Sequence, residues 1–208
     1  MKERPIIFSA PMVRAILSGA KTQTRRVMKV RCHSICEGDD GKLWPWSEDA
    51  ELAEDFWHPC PFGKPGDRLW VRETWKHIEG GAIYDASGCT IDAFDPETIY
   101  RADRPNQYGP WMSPIHMPRW ASRITLEITD VRVERLKDIS EADAVAEGCK
   151  PIRPELMLDG LIVRPGRSAV EEFRLVWEQI HGHGGGSWEK NPWVWVIEFK
   201  KLEQKEQA

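Results

Sequence analysis

The sequence predicts an α+β domain: a mostly antiparallel β-barrel flanked by two or three helices, with two long loop-rich insertions at about 31–62 and 77–120. Three observations predict it. Apolar and polar residues alternate over 66–75 and 122–136, and an apolar-rich run fills 193–202, as strands require. Helical periodicity is confined to short segments, two of which open on a capping box. No linker, repeat or low-complexity tract divides the 208 residues, so they read as one domain.

The elements follow in order. PIIF (5–8) is a short strand. A helix over 11–18 is capped by Ser9, with Pro11 in its first turn and Met12, Val13, Ile16 and Leu17 on one face. Gly19 stands where a left-handed residue ends a helix, so the basic stretch SGAKTQTRRVMK (18–29) falls in a loop leading to a strand. Residues 31–66 hold no sustained period. In GDRLWVRETW (66–75), Leu69, Val71, Glu73 and Trp75 alternate with Trp70, Arg72 and Thr74. With Leu69 and Val71 inward, Glu73 turns inward too, and a carboxylate there needs a partner or a cleft.

Residues 77–120 are again rich in loops. SRITLEITDVRVERL (122–136) is a long strand or a strand pair. ISEADAVAEG is a short helix, boxed by Ser140 and Asp143 and closed by Gly148. A second boxed helix starts at Ser168 and Glu171, with Val170, Phe173, Val176, Trp177 and Ile180 on its buried side. HGHGGGS lacks the GK[ST] ending of a phosphate loop and reads as a flexible connection. WVWVIEFKKL (193–202) is the last strand.

Composition narrows the function. A net charge of −4 argues against sequence-independent duplex binding, which needs many phosphate contacts, so any nucleic-acid role is local to a pocket. No apolar run approaches a membrane span, and MKERPIIFSAP lacks a signal-peptide core. A cytoplasmic protein with no membrane partner is expected. Five cysteines (32, 36, 60, 89 and 149) have no disulfide rhythm and read as reduced thiols. Cys32, His33, Cys36, His58 and Cys60 include zinc-type donors, but no tight C-x-x-C pair and no second pair completes a site. No metal and no cofactor is assigned.

The basic loop is the first candidate site. Lys21 is of the residue type that serves as a base once desolvated, Thr24 offers a hydroxyl nucleophile, and Arg26 offers a cation for an anion or carbonyl. A solvated basic turn explains the same residues. Glu147, at the negative end of a helix, is placed where its ionised form is disfavoured, as suits a proton shuttle; an ordinary exposed glutamate is the alternative. Trp75, at a strand end beside Glu73 and Thr74, either stacks on a base or fills the core.

ILSGAKTQTRR, GKPGDRLWVRETW, ITDVRVERLKDISEADAVAEG and WVWVIEFKKL, in that order, resemble the ASCH domain family, a PUA-like β-barrel group associated with RNA and nucleosides. The family's G-x-K…R signature falls on Gly19, Lys21, Thr24 and Arg26, where the broader family often has Glu in place of Thr24. The threonine form is similar to small bacterial ASCH enzymes that hydrolyse the amide of N4-acetylcytidine. Their functional lysine, threonine and glutamate correspond to Lys21, Thr24 and Glu147. FSAPMVRAIL, SPIHMPRWASRI and the long insertions resemble instead larger ASCH-related proteins carried by phages and prophages.

The resemblance implies an amidohydrolase site. Lys21, neutral through burial beside Arg25 or Arg26, takes the Thr24 proton, the alkoxide attacks the acyl carbonyl, and Arg26 or backbone N–H groups hold the oxyanion. Glu147 protonates the departing amine and then activates water. In an ideal strand positions 21 and 24 face opposite ways, so this needs a break between them. The competing reading is a non-catalytic reader of an unstacked nucleotide, with Lys21, Arg26, Glu73, Arg119 and Arg123 on its polar edges and Trp75 stacking. Ribonuclease action, and a structural role as a phage accessory protein, stay open beside it.

Overall fold

In the computed structural model the chain is described except at 30–31, 33, 50–53, 80, 85–89, 95–96, 105, 107–109, 157–161, 165, 183 and 204–208. It opens with β1 (Glu3–Ile7), α1 (Ala10–Leu17) and β2 (Gln23–Val27). The first insertion carries β3 (Ser34–Glu37), β4 (Leu43–Asp49) and β5 (Glu54–Trp57). Next come β6 (Arg68–Arg72), β7 (Trp75–Ile78), β8 (Gly81–Tyr84), β9 (Thr90–Phe94) and β10 (Glu97–Tyr100). The chain ends with β11 (Thr125–Arg135), α2 (Glu141–Ala146), β12 (Glu155–Leu156), β13 (Ile162–Arg164), α3 (Ala169–His181) and β14 (Trp193–Leu202).

The fold is α+β with mostly antiparallel strands. Its central sheet runs β1-β6-β11-β14-β2, with β1 parallel to β6 and the other pairs antiparallel. Strand β14 explains the apolar run WVWVIEF. Val194 and Val196 face a cluster with Ala144, Phe173 and Trp177 from α2 and α3. Trp195, Ile197 and Phe199 face the opposite cluster, with Val13 and Ile16 of α1 and Leu69 and Val71 of β6. Because both faces are covered, the strand is apolar from Trp193 to Ile197 and first turns polar at Glu198. Both expected capping boxes form, Ser140 with Asp143 and Ser168 with Glu171, each contributing about 1 kcal/mol.

Two expectations are corrected. The described strands do not close into a barrel: β1 and β2 are the two unpaired edges of the central sheet. The Arg26 side chain crosses between them, donating from Nη2 to the Ile7 carbonyl at 2.6 Å. The insertions, expected to be loop-rich, carry strands. The first is a three-stranded antiparallel sheet seated on the core where Trp44 meets Trp195, ring centres 6.0 Å apart. The second holds the β8–β9 pair and β10, which pairs with β7. Many of these strands are four residues long and pair only with near neighbours, too short to show a sustained period.

Candidate functional site

The site begins where α1 ends. Gly19 takes φ 74° and turns the chain out of the helix. Lys21 N–H then donates to Ala15 O at 3.0 Å, and Thr22 N–H to Ala146 O at 2.8 Å. One antiparallel bridge pairs Lys21 with Glu147, while β2 proper starts only at Gln23. Lys21 and Thr24 therefore do not share a regular strand, and the parity objection to their cooperation lapses. Gly148 makes the approach possible: its φ is 92°, and a Cβ there would lie 3.1 Å from Ala15 Cβ and 3.3 Å from Lys21 Cβ.

Lys21 Nζ donates to Glu147 Oε2 at 2.6 Å and to the Glu147 backbone carbonyl at 2.8 Å. The two side chains are 1% and 4% exposed. The lysine expected to be partly neutral thus lies within ion-pair distance of a buried carboxylate. Glu147 Oε1 also lies 3.4 Å from Arg25 Nη1. Arg25 continues to Glu134 at 2.9 Å and Asp143 at 3.4 Å, and Arg132 binds Glu134, Asp143 and Glu198. Burial works to raise the Asp143 carboxyl, but Ser140 hydrogen bonds and the Arg25 charge outweigh it and hold it below the ordinary range. This web of alternating charges fixes the Glu147 carboxylate from below, so each buried charge has a partner.

Thr24 and Glu147 line one cavity of about 380 Å³, at the low end of small-molecule sites. The cavity occupies the gap between the unpaired sheet edges, with Ile7 and Phe8 on the β1 side and Thr24, Arg25 and Arg26 on the β2 side. Lys21 reaches it through Glu147. Arg26 Cζ lies 5.1 Å from the Phe8 ring centre, and its Nε has no partner among the described residues. Burial pulls the Arg26 guanidinium below its ordinary value, and the Glu147 charge opposes that. Phe173, Val176, Trp177, Ile180 and His181 of α3 make the remaining wall, and Pro114 of the second insertion also lines it.

Sequence reasoning placed Phe173, Val176, Trp177 and Ile180 in the core. Periodicity identifies the apolar face of a helix but does not distinguish a core from a cavity wall. Phe8 and His181 were missed altogether, although His181 stands one helical turn beyond Trp177 on the same face.

Four expected ligand-binding residues do not line this cavity. Glu73 is inward as alternation required, but its partner is Arg123, at 2.9 Å from Nε and 3.2 Å from Nη2. Burial raises the Glu73 carboxyl and Arg123 pulls against that. Arg123 also holds Asp103 and lies 3.9 Å from the Tyr100 ring centre, so its charge is committed. Trp75 is 4% exposed, packed with Met117 and Ala121 and met edge-on by Trp120, which leaves no face for a base. Arg119 pairs with Glu3 at 3.1 Å beside Trp70.

Among the described residues no three His, Cys, Asp or Glu side chains form a metal-binding group. His33 and Cys89 lie outside the described residues. Cys36 contacts Ser34, His58 contacts Ser47, and burial pushes the Cys60 thiol up to about 11. No described helix is long and apolar enough to cross a membrane.

No family model matches the chain, and no curated protein sequence matches it. Among solved structures it is similar to the crystal structure of protein EF3133 from Enterococcus faecalis V583, described as DUF984. That likeness has 11% identity and a TM-score of 0.41, over all of this chain and 85% of the other. At that TM-score it carries no argument about fold or function.

Proposed function

We propose that the cavity is an amidohydrolase site that removes the acyl group from N4-acetylcytidine-like nucleosides, in a PUA-like ASCH domain whose barrel is left open at the β1–β2 gap. The observation that carries the reading is the Lys21–Glu147 ion pair at 2.6 Å, with Glu147 and Thr24 on one cavity wall. A proton passing along that hydrogen bond leaves a neutral amine on Lys21 and an acid on Glu147 together. Lys21 then takes the Thr24 hydroxyl proton, and Thr24 Oγ bonds to the acyl carbon. The unpartnered Arg26 Nε–H supports the oxyanion. As the C–N bond breaks, Glu147 protonates the departing cytosine amine, and the ion pair is restored.

Water completes the cycle. Glu147 takes its proton as hydroxide adds to the acyl ester, and Lys21 returns a proton to Thr24 Oγ as the carboxylic acid leaves. Glu147 then passes its proton back to Lys21. The sum is amide plus water giving amine plus carboxylic acid. Incubation with N4-acetylcytidine, followed by mass spectrometry, should give cytidine from wild type and at least about a hundredfold less from Thr24→Ala. Absence of cytidine from wild type would reject the reading.

One observation favours a second reading. Lys21 is fully buried and already doubly bonded to Glu147, a geometry that suits a static anchor beneath a non-catalytic nucleotide-binding pocket. Binding of cytidine without release of the acyl group would select it.

A further inference from the structure

The α3 wall of the cavity is apolar except for His181, and that imidazole is held from two sides. Its ring stacks on Trp177, centroids 4.2 Å apart and planes at 28°. Trp177 is itself fixed by an Nε1–H bond to the Gly186 carbonyl at 2.7 Å. On the other side lies Gly186, where an added Cβ would sit 3.1 Å from His181 Nδ1 and 2.9 Å from Val27 Cγ2. Gly186 thus lies close against the Nδ1 edge of the ring, and His181 itself lines the cavity. Burial, with the charges of Arg26 and Lys29, disfavours protonation of the ring. A neutral imidazole keeps both a donor and an acceptor.

Resting on the amidohydrolase reading, we infer that His181 binds the polar edge of the substrate's heterocycle and selects a cytosine-like ring over a plain aromatic amide. An acyl amide placed at Thr24 and Glu147 directs the ring it is attached to toward the rest of the cavity, where Phe8, Phe173 and Trp177 offer aromatic surface. The ring nitrogen and carbonyl of a pyrimidine lose their water there and need a partner, and on the α3 wall His181 is the side chain that supplies one.

The test uses N4-acetylcytidine and acetanilide, which presents the same amide on a benzene ring, together with calorimetric titration of cytidine. His181→Phe should lower kcat/KM for N4-acetylcytidine at least tenfold, mainly through KM, lower it far less for acetanilide, and weaken cytidine binding at least tenfold. His181→Gln should retain most of the cytidine affinity. Gly186→Ala displaces the ring without touching the ligand and should weaken cytidine in the same direction, which serves if His181→Phe does not fold. Equal cytidine affinity in wild type and the variants, or no cytidine binding by wild type, overturns the inference. Cytidine binding that depends on His181 without acyl release supports it while rejecting the hydrolase reading. Acyl release indifferent to His181 does the reverse.

Discussion

Lys21 and Glu147 grip each other twice, side chain to carboxylate at 2.6 Å and side chain to backbone carbonyl at 2.8 Å, across 126 residues of sequence. The contact ties the turn after α1 to the end of α2 and orders the polar wall of the cavity. Its burial makes it costly to break and gives it little net worth against an apolar replacement, because both charges lost their water on folding.

That asymmetry gives the first prediction. Glu147→Ala leaves Lys21 buried without a counter-charge and should lower unfolding free energy by about 3–5 kcal/mol. Lys21→Met combined with Glu147→Leu should recover most of the loss, since Arg25 keeps Glu134 and Asp143. Urea denaturation of the single and double variants measures this. A loss below about 1 kcal/mol for Glu147→Ala would mean the pair behaves as an exposed one.

Thr24 separates chemistry from stability. It is buried on β2 but lies outside the charge web, so Thr24→Ala should change stability by about 1 kcal/mol or less while lowering kcat for N4-acetylcytidine by about a hundredfold or more. Thr24→Ser keeps the hydroxyl and should keep measurable turnover. Steady-state kinetics decide; turnover in Thr24→Ala equal to wild type removes the nucleophile role.

What was legible in the sequence shares a physical cause. Capping boxes, the glycine after α1 and the doubly covered strand β14 are local or strictly periodic signals, and they give the element boundaries within a residue or two. Lys21, Thr24 and Glu147 were candidates from their chemistry and position, and a resemblance carried by short motifs joined them into one set; the structure brings Lys21 and Glu147 into contact and Thr24 to the same cavity. The misplacements are tertiary. Alternation turned Glu73 inward, but its partner Arg123 is 50 residues away, and nothing local shows that this pair lies outside the cavity. Trp75 sits at a strand end as expected and is covered by residues 112–121, which pair with it only in the folded chain. The open edge between β1 and β2 is a property of strand pairing, invisible to the periodicity of either strand.

Arg123 provides the contrast to Glu147. Arg123→Ala strands the buried Glu73 carboxylate and should destabilise the protein by about 3 kcal/mol. Because neither residue lines the cavity, the remaining folded protein should bind cytidine with wild-type affinity. Denaturation and titration on the same sample check both halves. A tenfold weaker affinity in folded Arg123→Ala would return Arg123 to the binding site.

The last prediction concerns pH. His181 is held below its ordinary value of 6.5, first by burial and then by the charges of Arg26 and Lys29, with Glu147 the acidic group on the same cavity. Between the lowered folded value and 6.5, the unfolded chain binds a proton at this histidine that the folded chain does not. The unfolded state then carries more protons, so stability rises with pH across that window. The contribution of His181 is complete above about 6.5, is lost as pH falls through the folded value, and is level below it. Lys29 is exposed, so Lys29→Ala should move the His181 titration upward without disturbing the fold. Proton NMR of the imidazole Cε1–H should show a midpoint below 6.5 in wild type and a higher one in the variant. In His181→Phe the same stretch of the stability curve should flatten. A wild-type midpoint at or above 6.5 would mean that the ring faces water rather than the cavity and its two cations.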